Sequence, residues 1–395
     1  MKTIKTLLAT IALLLCSGTM NAHDFEVDGI YYNILSENNK TVEVTFKGDT
    51  YSSKANEYTD SVTIPQKVDY EGNEYAVTGI GTEAFRACFK LLSVNIPDGV
   101  VIIGQQAFGG CQKLTSVAIP EGVTSIGAYA FDGCTSLTSV VIPEGVTRIS
   151  DDTFRDCSSL TSVDIPEGVT SIGAAAFHGC TSLTSVVIPE GVTSIGANAF
   201  SGCTSLTSVV IPEGVTSIGK WAFTNCTSLT SVVIPEGVTS IGAYAFGGCT
   251  SLASVVIPEG VTSIGAVAFS GCTSLTSVVI PEGVTSIGAA AFYGCTSLTS
   301  VKSLSSEEPE IYTSGESTFG NISKNAILYI PEGASYPNWE PYFSKVEYLT
   351  EEEITGIEDV MPEVRKSVIY DINGLRVKAP VKGGIYIIDG EKVKL

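Results

Sequence analysis

The chain has 395 residues, of which 44% are hydrophobic and 16% charged, and its formal net charge is −20 at pH 7. Affinity for nucleic acid depends on Lys and Arg side chains that displace counterions from phosphates, so this charge argues against nucleic acid as a partner. The same argument disfavours anionic membrane surfaces. The charged fraction is below the ~25% of a typical domain, and together with the hydrophobic fraction it excludes a disordered chain.

The first 22 residues have the composition of an export signal. Lys2 and Lys5 precede an apolar run, and the segment ends at Ala22. The apolar run is shorter than the ~20 residues that a helix needs to cross a bilayer. We therefore predict a signal peptide at residues 1–22 and a protein that is secreted or attached to the outer membrane or cell surface, without a transmembrane segment.

Ten cysteines recur at intervals of 23 residues, and each opens a copy of the same sequence pattern. They are Cys88, Cys111, Cys134, Cys157, Cys180, Cys203, Cys226, Cys249, Cys272 and Cys295. A period of 20 to 29 residues with the spacing Leu-x-x-Val-x-Ile indicates a solenoid of stacked coils. A single coil cannot bury its own apolar side, so the core has to form between neighbours.

Each repeat is predicted to contain two short strands and a turn. The Leu-x-x-Val-x-Ile segment forms the first strand, and Pro-Glu-Gly ends it because Pro lacks an amide donor and Gly turns freely. Val-x-x-Ile forms the second strand. Ala130 and Phe131, with their equivalents, predict a helical or 3₁₀ turn that carries an aromatic ring inward. About eight positions per repeat, occupied by Cys, Leu, Val, Ile, Val, Ile, Ala and Phe, should face the core.

The pattern Leu-Thr-Ser-Val-x-Ile-Pro-Glu-Gly-Val-Thr-Ser-Ile-Gly-x-x-Ala-Phe-x-x-Cys closely resembles the BspA-like class of leucine-rich repeats found in bacterial surface proteins. The resemblance implies a right-handed leucine-rich-repeat superhelix with a parallel β-sheet of short strands, capped at both ends. It also implies adhesion through a protein ligand, such as an extracellular-matrix or cell-surface protein.

The sequence outside the repeats predicts two caps and a tail. The expected segments are an N-terminal β cap with an irregular first repeat, the regular array, irregular C-terminal repeats with a cap, a polar linker, and a small β tail, at residues 23–79, 80–302, 303–350, 351–364 and 365–395 respectively. Trp339 and Phe343 should seal the last coil. The tail resembles the C-terminal sorting modules of type IX secretion; the alternative is a small structural appendage.

The sequence contains no pattern that predicts catalysis. The two His residues, His23 and His178, lie in no nucleophile motif, and the glycines are accounted for by turns. We therefore expect no enzymatic activity, no cofactor and no metal centre. One Cys per coil does not converge as zinc ligands do, and stacked Cβ atoms that point in parallel are too far apart for disulfides. The cysteines are predicted to be buried free thiols that fill space.

One acidic residue follows the first strand of each repeat and forms an acidic row. Its members are Asp98, Glu121, Glu144, Glu167, Glu190, Glu213, Glu236, Glu259 and Glu282. Like charges closer than the Debye length of ~8 Å repel one another, so these side chains should point into solvent. Two interpretations remain open: a solvated edge that keeps the protein soluble, and a row that weakly binds divalent cations.

Two sets of side chains are candidates for partner binding. Strand alternation puts a Val row on the outward face of the first strands, at Val141, Val187, Val210, Val233, Val256 and Val279. The turn before each Cys varies most between repeats and carries Tyr129, His178, Trp221, Tyr244 and Tyr293. Against these stand two simpler interpretations, which are β-propensity for the valines and isolated surface aromatics for the turns.

The predicted function is therefore protein binding or adhesion by a non-enzymatic exported protein. The first alternative is a structural or self-associating surface spacer. The second is a module that captures glycans or peptides as nutrients, which would require the Trp and Tyr side chains to lie on one platform.

Overall fold

A computed structural model describes residues 23–48, 57–312 and 317–355, together with the backbone of four short strands between residues 369 and 394. The segment predicted as a signal peptide lies outside the described residues. The chain forms a parallel β-solenoid of about eleven stacked coils, with almost no helix, and this confirms the predicted repeat fold.

The first strands of successive coils stack in parallel. Ser185 pairs with Ser208 and Ser208 with Ser231, so equivalent residues of successive coils pair in register. These strands are Asp60–Thr63, Leu91–Asn95, Ser116–Ala118, Ser139–Val141, Ser162–Asp164, Ser185–Val187, Ser208–Val210, Ser231–Val233, Ser254–Val256, Ser277–Ile280, Ser300–Ser303, Ile327–Pro331 and Lys345–Leu349.

The second strands also pair in parallel, as Ile195 does with Ile218 and Ile241 with Ile264; the first three belong to the sheet of the N-terminal cap and the others form a sheet of eight strands. They are Asn73–Ile80, Ile102–Ile103, Ser125–Ile126, Arg148–Ile149, Ser171–Ile172, Ser194–Ile195, Ser217–Ile218, Ser240–Ile241, Ser263–Ile264, Ser286–Ile287 and Glu310–Ile311. The two-strand coil that the sequence predicts is therefore present throughout the array.

The turn between the second strand and the next Cys is neither the helical nor the 3₁₀ turn that the sequence predicts. Two residues in most turns are left-handed, for example Asn198 with φ of 58° and Gly202 with φ of 75°, and this conformation interrupts a helix. The Asn198 N–H consequently donates to the Lys220 carbonyl of the next coil at 2.9 Å, and the Phe200 N–H donates to the Ala222 carbonyl at 2.8 Å. Ala favours helix locally, but bonds between coils prevail. We call the surface formed by residues 127–133 and their equivalents the turn face.

A ladder of eleven Phe rings runs through the core, one ring from each coil. The rings are Phe85, Phe108, Phe131, Phe154, Phe177, Phe200, Phe223, Phe246, Phe269, Phe292 and Phe319. Neighbouring centroids are 5.1 to 5.6 Å apart and the ring planes are nearly parallel. With few exceptions, the eight positions predicted to face inward are buried in every coil. The ladder makes each coil depend on its neighbours for burial.

The N-terminal end of the ladder is closed by a small β cap. Its strands Phe25–Val27, Ile30–Ser36 and Thr41–Thr45 are antiparallel, and Lys67–Tyr70 pairs with the edge of Asn73–Ile80. The Tyr58 ring packs on Phe85 with centroids 4.6 Å apart, and its hydroxyl donates to the Thr45 carbonyl at 2.7 Å.

The C-terminal end is closed by aromatic side chains, as the sequence predicts. The rings of Trp339 and Phe343 lie 5.0 and 5.3 Å from that of Phe319, the last ring of the ladder. A 3₁₀ helix, Glu340–Tyr342, connects the two cap residues. The Trp339 indole N–H donates to the Pro309 carbonyl at 3.1 Å, so this fully buried side chain has a hydrogen-bond partner.

After the cap, the segment predicted as a linker begins with one helical turn at 351–355. Glu353 and Thr350 form reciprocal capping bonds, in which each backbone N–H donates to the other's side-chain oxygen. Further on, strands pair antiparallel in the order Arg376–Val377, Ile369–Asp371, Ile385–Ile388 and Glu391–Lys394. The remaining residues of 356–395 lie outside the described residues.

Replacing one ring of the ladder should destabilise the solenoid substantially. We predict that Phe200→Ala lowers the free energy of unfolding by about 3 to 5 kcal/mol, because transfer and cavity terms add. Urea unfolding followed by circular dichroism measures this change. Asn198→Ala is the matched control in the same coil, since Ala occupies the equivalent positions 175 and 290. Equal effects of the two substitutions would contradict the role of the ladder.

Candidate partner-binding surfaces

The Val row is less exposed than strand alternation predicts. Val141 is 62% exposed, but it pairs with Asp164, which separates it from the rest of the row. The other five, Val187, Val210, Val233, Val256 and Val279, are half-buried. Stacked strands lie only ~4.8 Å apart, so identical side chains cover one another.

The C-terminal end of the Val row is also covered by the cap. Leu304 and Leu349 form a small cluster against which Val256, Val279 and Ile354 pack. The Val row open to a partner therefore reduces to Val187, Val210 and Val233, a short stripe of one residue type.

The aromatic residues of the turn face lie in two columns. The first column is the residue two before each ladder Phe, and it contains Tyr129, Trp221 and Tyr244. The second column is the residue after that Phe, and it contains His178 and Tyr293. The structure brings only Trp221 and Tyr244 together among these five, because they belong to consecutive coils.

Trp221 and Tyr244 stack on each other at the surface. Their centroids are 5.5 Å apart, the ring planes make an angle of 25°, and each side chain is 38% exposed. The rings face one another along the solenoid axis, so they do not form the flat side-by-side platform that the glycan-capture alternative requires. The pair is instead an exposed aromatic stack on a rigid backbone.

The coil at residues 148–157 carries a cluster of charges that the sequence analysis did not single out. A departure from the repeat pattern marks this cluster in the sequence: Ser-Asp-Asp-Thr-Phe-Arg-Asp replaces Gly-Ala-x-Ala-Phe-x-Gly. Arg155 lies 3.4 Å from the Asp152 carboxylate and 3.5 Å from that of Asp156. A hydrogen bond to Asp152 raises the pKa of Tyr129, and burial raises the pKa of Asp132.

The acidic row forms an exposed edge. All nine side chains, from Asp98 to Glu282, are exposed, one per coil, after the first strand. Among residues 23–48, 57–312 and 317–355, no three His, Cys, Asp or Glu side chains are grouped so that they could hold a metal ion. In the same part of the chain, no helix has the length and hydrophobicity of a membrane span.

The ten repeat cysteines are buried and free, and they do more than fill space. From Cys111 onward, each thiol donates to the carbonyl of the ladder Phe in the preceding coil, with Sγ···O distances of 3.0 to 3.3 Å. Burial raises the pKa of Cys88 to about 11 and those of Cys249 and Cys295 to about 12. The thiols therefore stay protonated and unreactive in the folded protein.

The coil period, the paired short strands and the Phe ladder define a leucine-rich-repeat solenoid. The model for the BspA type leucine rich repeat region matches residues 78–207, 193–326 and 247–355, with six copies. These matches span more than half of the chain, so the protein belongs to the BspA-type leucine-rich-repeat family.

Solved structures of leucine-rich-repeat proteins resemble this chain. A protein from Bacteroides ovatus is 29% identical, with a TM-score of 0.57, over 83% of this chain and 77% of its own. A cell surface protein from Faecalibacterium prausnitzii is 31% identical, over 81% of this chain and 97% of its own, with a TM-score of 0.47. The pneumococcal vaccine antigen PcpA, at 18% identity and a TM-score of 0.50 over 82% and 98%, shares the fold. Among functionally curated proteins, no sequence matches this chain.

Buried thiols should make the protein sensitive to alkaline pH. In the unfolded chain thiols ionise near their ordinary pKa of about 8.5, whereas the folded protein keeps them protonated. Above that pH unfolding releases protons, so the free energy of unfolding should fall by up to ~1.4 kcal/mol per pH unit for each thiol, between about pH 9 and 11.

Urea midpoints measured at pH 8, 9 and 10 test this dependence. The matched control is the triple variant Cys180→Ala, Cys203→Ala and Cys226→Ala, whose stability should fall less steeply with pH even if its value at pH 8 is lower. Identical slopes for the two proteins would show that the thiols are not the cause.

Proposed function

We propose that this protein is a non-enzymatic, exported leucine-rich-repeat protein that binds a protein partner at the cell surface. One observation carries the proposal: the scaffold is constant while the turn face varies. Residues 180–196, 203–219, 226–242 and 272–288 are identical in sequence. The residues that follow them differ in the two columns of the turn face. A rigid scaffold with variable exposed positions is the usual arrangement of a recognition surface.

The location at the cell surface is supported by the N-terminal sequence and the tail. Residues 1–22 have the charge and apolar run of a signal peptide, and 365–395 resemble a type IX sorting module. The four paired strands of this tail suit a small β-module. Strong negative charge suits an exported protein that must remain soluble until it meets a partner.

A binding assay with the mature chain tests the proposed function. Residues 23–395, immobilised by one end, should retain protein from solubilised extracellular matrix or from the surfaces of neighbouring cells, at physiological salt. The control is the same protein unfolded in urea and coupled to the same support. Equal retention by the folded and unfolded chains, or none by either, would contradict the proposal.

The open part of the Val row favours self-association as a second candidate function. Val187, Val210 and Val233 present one residue type at one spacing, so a second copy could pair with them in several registers. In that case Val210→Asp should shift a concentration-dependent dimer to monomer in analytical ultracentrifugation, with an unchanged circular dichroism spectrum. A wild-type chain that stays monomeric at high micromolar concentration would eliminate this candidate.

A further inference from the structure

We propose that the turn face recognises a basic polypeptide segment, and that Trp221 and Tyr244 form the contact for its Arg or Lys side chains. This inference rests on the proposed function and specifies its surface and the chemistry of its partner. The constant part of the repeat cannot distinguish one partner from another, because the coils that begin at Cys180, Cys203, Cys226 and Cys272 present the same residues there. Positions that differ from coil to coil therefore have to distinguish one partner from another.

The first column holds its side chains in a fixed direction. Ten of its eleven members have a positive φ between 51° and 61°, whatever the residue type: Glu83, Gln106, Tyr129, Asp152, Ala175, Asn198, Trp221, Tyr244, Val267 and Ala290. The Trp221 and Tyr244 N–H groups donate to the next coil at 2.9 and 2.8 Å, which locks this conformation. The surface is therefore preorganised, and a partner does not have to immobilise its backbone.

The composition of the two columns is that of an adaptable binding surface. Aromatic anchors, short polar residues and salt-bridged charges replace one another from coil to coil, and antibody combining sites use the same residue types. At the aromatic stack, the flanking first-column residues are Asn198 and Val267, which are smaller than the rings. The two rings of the stack therefore protrude beyond their neighbours in the column.

The charge of the array selects a basic partner. Between residues 98 and 300 the chain has 14 acidic and four basic residues, a net of −10, and the carboxylates recur along the whole axis. Such a field attracts cationic chains and repels acidic ones over several coils. At short range, the faces of Trp and Tyr rings attract guanidinium and ammonium groups. Long-range field and local contact thus favour the same side chains, Arg and Lys.

Lys220 allows the sign of the charge effect to be tested. It is exposed and lies next to Trp221 in sequence, so it opposes a cation that approaches the stack. If the partner is basic, Lys220→Ala should strengthen binding. If the stack binds a neutral sugar, the same change should have no effect or should weaken binding by removing a hydrogen-bond donor.

Intrinsic fluorescence reports binding at this site directly. The chain has two Trp residues, of which Trp221 is exposed and Trp339 is fully buried in the C-terminal cap. A deca-arginine peptide titrated into the mature chain should change the emission of Trp221, with an affinity that falls as NaCl rises. Tyr244→Ala should weaken the affinity by roughly 2- to 30-fold, the range of a cation–π contact. Lys220→Ala should strengthen it.

Matched probes and variants separate this inference from the proposed function. Deca-glutamate and maltoheptaose are the acidic and neutral probes, and Ser217→Ala, at an exposed position in the constant part of the repeat, is the control. Saturable binding of maltoheptaose at Trp221, or deca-arginine binding that Tyr244→Ala and Lys220→Ala leave unchanged, would overturn the inference. If the mature chain still retains matrix or cell-surface protein in that event, the proposed function stands and its surface lies elsewhere.

Discussion

The stacking of one coil on the next is the constraint on which the rest of this structure depends. The Phe rings of adjacent coils stay 5.1 to 5.6 Å apart across the whole array, and no ring can be buried without its neighbours. Such a ladder requires each coil to return its Phe to the same place: ten rings recur every 23 residues, and the 27-residue step from Phe292 to Phe319 still places the last ring 5.6 Å from its neighbour. The ladder also requires a lid at each end, which Tyr58 and Trp339 supply.

Polar groups follow the same axis as the rings. Thr204 donates its hydroxyl to the Thr181 carbonyl one coil earlier at 3.3 Å, and Thr227 donates to Thr204 in the same way. The thiols donate to the Phe carbonyls inside the core. Hydrogen bonds along the axis let short polar side chains contribute to coil stacking at many positions. The Thr hydroxyls stabilise the stack at the surface and the thiols stabilise it in the core.

Much of this fold could be predicted from the sequence, because the same pattern of apolar and turn residues recurs in each repeat. The two strands, the inward residues and the sealing role of Trp339 follow from alternation and periodicity. The conformation of the turn could not be predicted, since Ala222 and Phe223 belong to a locally helix-compatible segment and only the next coil supplies the partner for the Trp221 N–H. The half-burial of Val187 and its equivalents likewise arises from stacking and from the cap, which a single repeat does not contain.

The positions that vary are those that the stack does not need. In the first column, residues as different as Trp221, Asn198 and Ala290 adopt the same backbone conformation, with φ of 55° to 58°. The cost of that conformation for a residue other than Gly, ~1 to 3 kcal/mol, is present in ten coils and is smallest where the residue is Asn or Asp. Substitution in this column can change what the surface recognises without changing the solenoid.

The most direct measurement is the stability of a chain in which five members of this column are replaced by Ala. Tyr129, Asn198, Trp221, Tyr244 and Val267 would all be replaced by Ala, the residue already present at 175 and 290. If the first column serves recognition and not stability, the urea unfolding midpoint should stay close to that of the unaltered chain. Partner binding should be lost. A loss of stability as large as that caused by removing one ladder ring would contradict this role of the column.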